Sequence, residues 1–402
     1  MKKIFKFADK HSYDNTMEEI TGGQYDAHYP NVVKYAESNT DINKLPTYTV
    51  QELADEGVFT QTQQDNKQIY TLAKDRVNDF NNIDPARVSD FYELHKKGRI
   101  KMSNDESAPS INKSWADYMF SRYKADGFKL SGVAQYMFSG LMNKHTLSDD
   151  DKDEVTVTLL PSITTNPDWA ALDMVFFNFG FSNSTENTCL HIKEEGIRVT
   201  SAPYAFKWTS FGRFKYTDRD GGNLFTPVNN AVALFSNSKF KQFDCVLNIQ
   251  NGPEYLFENQ SKIQELTYPD TTNEEHTTWN IRGNTYSAFS APQLTKIDYI
   301  IDASNVNEMM GNANNWAFEM FRNALLLSYV RIKNVNKNTD LSNAPSLNEE
   351  SFTYLINNAS NSNPITITIA ENATITDEFI LTLQDILTQK NISVYRGNNQ
   401  IV

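Results

Sequence analysis

Six histidines and two cysteines are the side chains of this 402-residue chain best suited to nucleophilic or metal chemistry. His11, His28, His95, His145, His191 and His276 fall singly, and no two stand at the separation that a zinc site uses. Cys189 and His191 are two apart in a β-rich stretch, which would place both on one face, as a thiol–imidazole pair requires. Two packed core side chains are the plainer reading. Asp218/Asp220 and Glu274/Glu275 are paired carboxylates, but both pairs sit in turn-like sequence. A glycosidase needs its two carboxyls to flank a sugar cleft. Trp208, Phe211, Trp279 and Tyr286 could stack on sugars if exposed, with core duty the plainer role for most. The acidic run 148–154 lacks the glycine that a calcium loop needs near its sixth position, and reads as a solvated interdomain linker. No catalytic, cofactor-binding or metal-binding residue is expected, and the chain reads as non-enzymatic.

A net charge of −13 argues against sequence-independent nucleic-acid binding, which needs a basic face to displace counterions. The start, Met1-Lys2-Lys3-Ile4-Phe5-Lys6-Phe7, is basic like a signal peptide, but Lys6, Asp9, Lys10 and His11 interrupt the apolar stretch that export uses. No apolar run is long enough to span a membrane, so no membrane insertion is expected. Two cysteines far apart make no disulfide framework, and two buried thiols of a reducing compartment are the expectation. Asparagine is concentrated in the last third. It tolerates the left-handed turn region, as a chain of many similar tight turns would require.

The elements that must position these residues divide the chain at 150 and 230. Residues 1–150 read as helices joined by polar linkers, a docking arm. Thr49 to Glu52 fits a capping box, with Gly57 as the stop. Ile69, Leu72, Ala73, Val77 and Phe80 form one helical stripe, and Val88, Phe91 and His95 another. Ser114 is the expected cap of the next helix, and Val133, Tyr136, Met137 and Leu141 mark one more. Residues 151–230 read as a small β-rich domain, with 155–159 a strand and 216–223 a hairpin turn.

Residues 231–402 carry internal similarity. Leu234-Phe235, Leu256-Phe257 and Ala288-Phe289 each open a segment with a small polar stretch, an apolar position and a β-capable run. Residues 348–358 and 377–389 read as helices, and 365–369 and 392–394 as strands. Strand-to-strand steps of this kind predict a β/α solenoid with a parallel sheet.

The segment from Leu256 to Asp270, including Ile263, Leu266 and Pro269, resembles the BspA-like leucine-rich repeat; the likeness covers residues 231–302 and departs from the repeat where Ser238 and Ser261 replace the usual cysteine. The segment from Asp340 to Ile369 resembles repeats in structural proteins of crAss-like phages and related phages of gut Bacteroidetes. The residue patterns make the expected fold an α+β multidomain one: a helical N-terminal arm, a small β-rich middle domain and a C-terminal leucine-rich-repeat-like β/α solenoid, the last also implied by the resemblances. These resemblances imply a virion structural protein of tail, collar or spike, made in the host cytoplasm. Its partners would be other virion structural proteins and copies of itself, as a homo-oligomer. The alternative is a leucine-rich-repeat adhesin or receptor-binding module for a host surface glycan or protein. A virion-borne glycan hydrolase is a third reading.

Overall fold

The computed structural model describes residues 3–4, 32–33, 48–64, 67–73, 83, 88, 90–104, 110–163, 170–258, 263–267, 278–283, 285–306, 320–360 and 363–402. Strands β1 (Lys3–Ile4) and β2 (Val32–Val33) pair in parallel. Helix α1 (Val50–Asp55) starts at the capping box: Thr49 Oγ1 accepts from the Glu52 N–H at 3.2 Å, and Glu52 Oε2 accepts from the Thr49 N–H at 2.8 Å. Next come β3 (Phe59–Gln64), β4 (Lys67–Leu72), α2 (Phe91–Lys96) and β5 (Ile100–Lys101). β3 and β4 form an antiparallel hairpin, and β5 joins β4 in parallel.

Helix α3 (Lys113–Ala125) is capped by Asn112, whose Oδ1 accepts from the Trp115 N–H at 3.0 Å, and not by Ser114, which lies two residues further on, inside the first turn. It buries Trp115, Met119, Phe120 and Tyr123. After β6 (Lys129–Leu130), the acidic run forms helix α4 (Asp149–Asp153) rather than a linker. Ser148 caps it, and three aspartates occupy the first turn, where the helix dipole favours negative charge.

A series of parallel strands follows: β7 (Val155–Leu159), β8 (Ala170–Ala171), β9 (Cys189–Glu194), β10 (Val199–Ser201), β11 (Arg213–Thr217), β12 (Leu224–Phe225), β13 (Gln242–Asp244), β14 (Val246–Ile249), β15 (Glu265–Leu266), β16 (Thr278–Ile281), β17 (Lys296–Asp302) and β18 (Tyr329–Lys333). They build a five-stranded sheet in the order β13-β11-β9-β7-β6 and a six-stranded one centred on β16 and β17, with a separate β8–β10 pair. The last part alternates β19 (Thr339–Leu341), α5 (Glu349–Asn358), β20 (Ile365–Ile369), α6 (Asp377–Thr382), α7 (Gln384–Gln389), β21 (Ile392–Arg396) and β22 (Asn399–Gln400) in a separate four-stranded sheet.

Opposite the strands, the turns stack on a ladder of phenylalanines: Phe138, Phe176, Phe206, Phe235, Phe257, Phe289 and Phe321. Successive rings lie 5.4–5.8 Å apart, with interplanar angles of 6–25°. Backbone bonds tie each layer to the next, among them Phe206 N–H to Leu234 O at 3.0 Å and Phe235 N–H to Leu256 O at 3.0 Å. Around Phe138, Phe176, Phe206 and Phe235 the turn reverses through left-handed residues two before and two after the phenylalanine, such as Tyr204 (φ +55°) and Trp208 (φ +63°) around Phe206. Asn178, Asn237 and Asn323 fill the second of these positions, where asparagine is among the few residues to fit without strain.

These observations correct the fold expected from sequence. The chain is α/β with mostly parallel sheets, and seven short α-helices are described. No helical N-terminal arm is present among the described residues: within 48–150, helices alternate with β3, β4, β5 and β6. The stripe through Ile69 and Leu72 is a strand, because Thr, Ile and Tyr favour the pleated hairpin, while Val77 and Phe80 lie outside the described residues. Val133 to Leu141 is the first stacked turn, where Tyr136 (φ +56°) and Gly140 (φ +68°) break any helix. A leucine-rich-repeat-like β/α solenoid over 231–402 is likewise not found. Up to Val306 the described connections are turns rather than helices, and the strands divide among three sheets rather than one.

Nor is 151–230 closed on itself: β7 pairs with β6, and β11 with β13. The turn after β11 is not a hairpin, since β12 pairs with β14 instead. Asp218 holds that turn, accepting from the N–H groups of Asp220 and Gly222 at 2.9 Å each. Among the described residues no helix is long and apolar enough to cross a membrane.

Candidate functional site

Parallel sheets are usually covered on both faces, but here one face stays half-open. On β7, β9 and β11, Val157, Ile192 and Tyr216 stand in register and face the core. Thr156, His191 and Lys215 stand in register on the other face. Glu154, just before β7, reaches over them. Its Oε1 lies 2.7 Å from His191 Nδ1 and accepts from Thr156 Oγ1 at 2.8 Å, while Oε2 accepts from Lys215 Nζ at 3.1 Å. Burial pushes the Glu154 carboxyl up, but the hydrogen bonds from His191, Thr156 and Lys215 outweigh it and hold it at about 2.

Burial lowers His191, so the ring is neutral at pH 7. Nδ1–H then donates to Glu154, and Nε2 accepts from Thr217 Oγ1 at 2.8 Å. Both nitrogens are engaged. Cys189 shares this face, as its spacing from His191 requires, but burial pushes its thiol up to about 12. A thiol held there is not a nucleophile at neutral pH. The Cys189–His191 pair is a fixed structural cluster.

The other candidates disperse. His95 is buried between the Tyr123 hydroxyl (2.5 Å) and the Met137 carbonyl (2.7 Å), and burial lowers it to about 4. His145 stacks on Phe120 at 4.0 Å and bonds Asp117 at 2.8 Å. Trp279 and Phe211 are buried, Trp279 stacking on Tyr299 at 3.8 Å. Trp208 is 39% exposed. His11, His28, His276, Glu274 and Glu275 lie outside the described residues. Among the described residues no group of three or more His, Cys, Asp or Glu side chains could hold a metal ion.

One cleft does gather polar groups that the sequence did not connect. It has a volume of about 260 Å³ and is lined by Lys67, Lys101, Gln135 and Asp173 over apolar Ile69 and Val175. Gly98 makes it possible: at φ +64° its chain passes so close to residue 133 that a Cβ would meet the Val133 backbone at 2.3 Å. Gln135 Nε2 donates to Asp173 at 2.5 Å. Burial raises the Asp173 carboxyl and lowers the Lys101 amine, each partly offset by the other's charge. Such a pair can exchange hydrogen bonds with a small polar molecule. Lys101 and Asp173 are brought together by the packing of β5 against the first stacked turns, with no local motif to announce them.

Large apolar side chains also reach solvent. Leu325 and Leu326 are 54% and 46% exposed on the turn before β18. Compared with known proteins, the chain matches no family model, no curated protein and no solved structure.

Proposed function

We propose that the protein is a structural component of a phage particle, in its tail, collar or spike, working through contacts with copies of itself and with other particle proteins. The likeness of residues 340–369 to phage structural repeats supports the class. The observation that carries contact over chemistry is the exposed Leu325–Leu326 pair. The turn bearing it is held between buried Phe321 and Leu327, through Ala324 N–H to Phe321 O at 2.9 Å and Leu327 N–H to Ala324 O at 3.0 Å. Ser346 Oγ donates to Leu325 O at 2.9 Å from the next layer. The leucines therefore cannot fold back onto their own core. Each is already about half covered, so covering the rest would gain about 1 kcal/mol per leucine, which a neighbouring subunit can supply.

Light scattering on the full-length protein tests this reading. The wild type is expected to self-associate, and Leu325→Asp/Leu326→Asp to be monomeric with an unchanged melting temperature, since both sites are exposed. A variant that associates like the wild type would assign the contact elsewhere, and a wild type that is monomeric at every concentration would remove self-assembly from the function.

A further inference from the structure

The turn edge of the stack carries aromatic side chains where the backbone disfavours them. At the left-handed position two after the ladder phenylalanine, Gly140, Asn178, Asn237 and Asn323 are the residue types that fit cheaply. Trp208 occupies the same position at φ +63°. At the position two before, where Met174, Ala233 and Ser287 stand in other layers, are Tyr204 and Tyr255, at φ +55° and +57°. A large side chain in this region costs about 1–2 kcal/mol. Tyr136 shares that conformation but is only 8% exposed, so burial offsets its cost. Trp208 is 39% exposed, and Tyr204 and Tyr255 are half-buried. Packing within the fold covers them only in part: Trp208 lies 5.3 Å from Phe177 and Tyr255 5.4 Å from Tyr286, yet all three still reach solvent. Strain of this kind, held on a rigid scaffold, points to a binding role.

The three belong to one surface. Lys207 Nζ lies 5.3 Å from the Trp208 ring centre and 5.5 Å from that of Tyr204. Tyr204 is within electrostatic reach of Tyr255, which packs edge-on against Tyr286 at 5.4 Å. The Arg322 guanidinium lies 5.4 Å from the Tyr286 ring. Glu258 interacts with both Lys207 and Arg322, and Glu254 flanks Tyr255. Two cations and two carboxylates balance, so the surface has no single-sign field to select a polyanion or a polycation.

We propose that this edge, built of Tyr204, Lys207, Trp208, Tyr255, Glu258 and Arg322, binds a neutral oligosaccharide. An aromatic ring is electron-rich on its face and meets the C–H face of a sugar, a contact that needs area and no charge. The ammonium and guanidinium donate to sugar hydroxyls and the carboxylate accepts from them. The ladder spacing of 5.4–5.8 Å sets these groups out along a line, as a chain of repeating units requires. The proposal does not rest on the Leu325–Leu326 contact, although Arg322 stands three residues before Leu325 in the same turn region.

The test is titration calorimetry of the full-length protein with mannan, xylan and chitin oligomers, with heparin as the charged counterpart. The wild type is expected to bind at least one neutral oligomer saturably. Trp208→Asn and Tyr255→Asn are expected to weaken that binding by about tenfold or more. Their melting temperatures should be unchanged or higher, because asparagine suits the left-handed backbone. The proposal is overturned if no neutral oligomer binds saturably, if heparin binds more tightly than all three, or if the variants bind like the wild type. It is also overturned if melting temperature falls in step with binding, which would make these aromatics structural.

Discussion

Phe235→Ala is expected to destabilise the protein by about 3–5 kcal/mol, the range for deleting a fully buried aromatic ring. Phe235 is completely buried. It stacks on Phe206 and Phe257 at 5.6 and 5.5 Å, and Phe214, Phe240 and Phe243 present their edges to it at 5.0–5.7 Å. The hole left by truncation cannot close easily, because the layers above and below are pinned by backbone hydrogen bonds. Phe321, with a stacked neighbour on one side only among the described ladder rings, should lose less when truncated. Phe235→Leu, which fills most of the volume, should cost less than the alanine. Urea unfolding of the three variants measures the order. A Phe235→Ala cost no larger than that of Phe321→Ala would mean that the ladder is not the spine of the core.

Glu194→Ala comes second, at about 3 kcal/mol, from buried donors left unpaired at about 1–3 kcal/mol each. The Glu194 side chain is buried, and its Oε1 accepts from the Val199 N–H and the Tyr216 hydroxyl, both at 2.5 Å. Oε2 accepts from the Arg219 N–H at 2.9 Å, so one carboxylate ties the turn after β9 to the turn after β11. Burial raises its pKa, against the pull of those three hydrogen bonds, and the charge of Asp218 adds to the rise. The folded protein therefore holds this proton more tightly than the unfolded chain does. Its contribution is fully present below the unfolded value of about 4.3, declines as pH rises through the folded value, and is then flat. Glu194→Gln, which cannot ionise, should remove that decline from the stability–pH curve. Curves of wild type and Glu194→Gln that stay parallel from pH 4 to pH 8 would contradict the assignment.

Local pattern carried part of this fold. The alternation of Val155, Val157 and Leu159 is a strand with one face in the core, and the stripe of Phe352, Leu355 and Ile356 is a buried helix face. Phe235, Phe257 and Phe289 were visible as a repeat because each follows Leu or Ala and precedes a polar stretch. Phe138, Phe176, Phe206 and Phe321 belong to the same ladder and were not visible. Layers recur at intervals from 22 residues (Phe235 to Phe257) to 38 (Phe138 to Phe176), so no fixed period exists. Around Phe138, the spacing of Tyr136, Met137 and Leu141 imitates a helix. The fit of aromatics to the left-handed backbone at Tyr204 and Trp208 also runs against residue preference, and only the fold reveals it.

The chemistry was legible to a similar depth. Cys189 and His191 do share a face, but that His191 is already held by Glu154 and Thr217 depends on the register of three parallel strands. The cleft of Lys101 and Asp173 and the turn-edge aromatics draw on residues from different layers. Neither leaves a spacing in the sequence.

The proposed function requires this chain to be built into a phage particle. Quantitative mass spectrometry of density-gradient-purified particles, from cells producing the protein during lysis, tests it most directly. Membership of the particle predicts that the protein follows the capsid protein through the gradient at a constant ratio. Recovery in the soluble lysate alone, with none in the particle fractions, would contradict it.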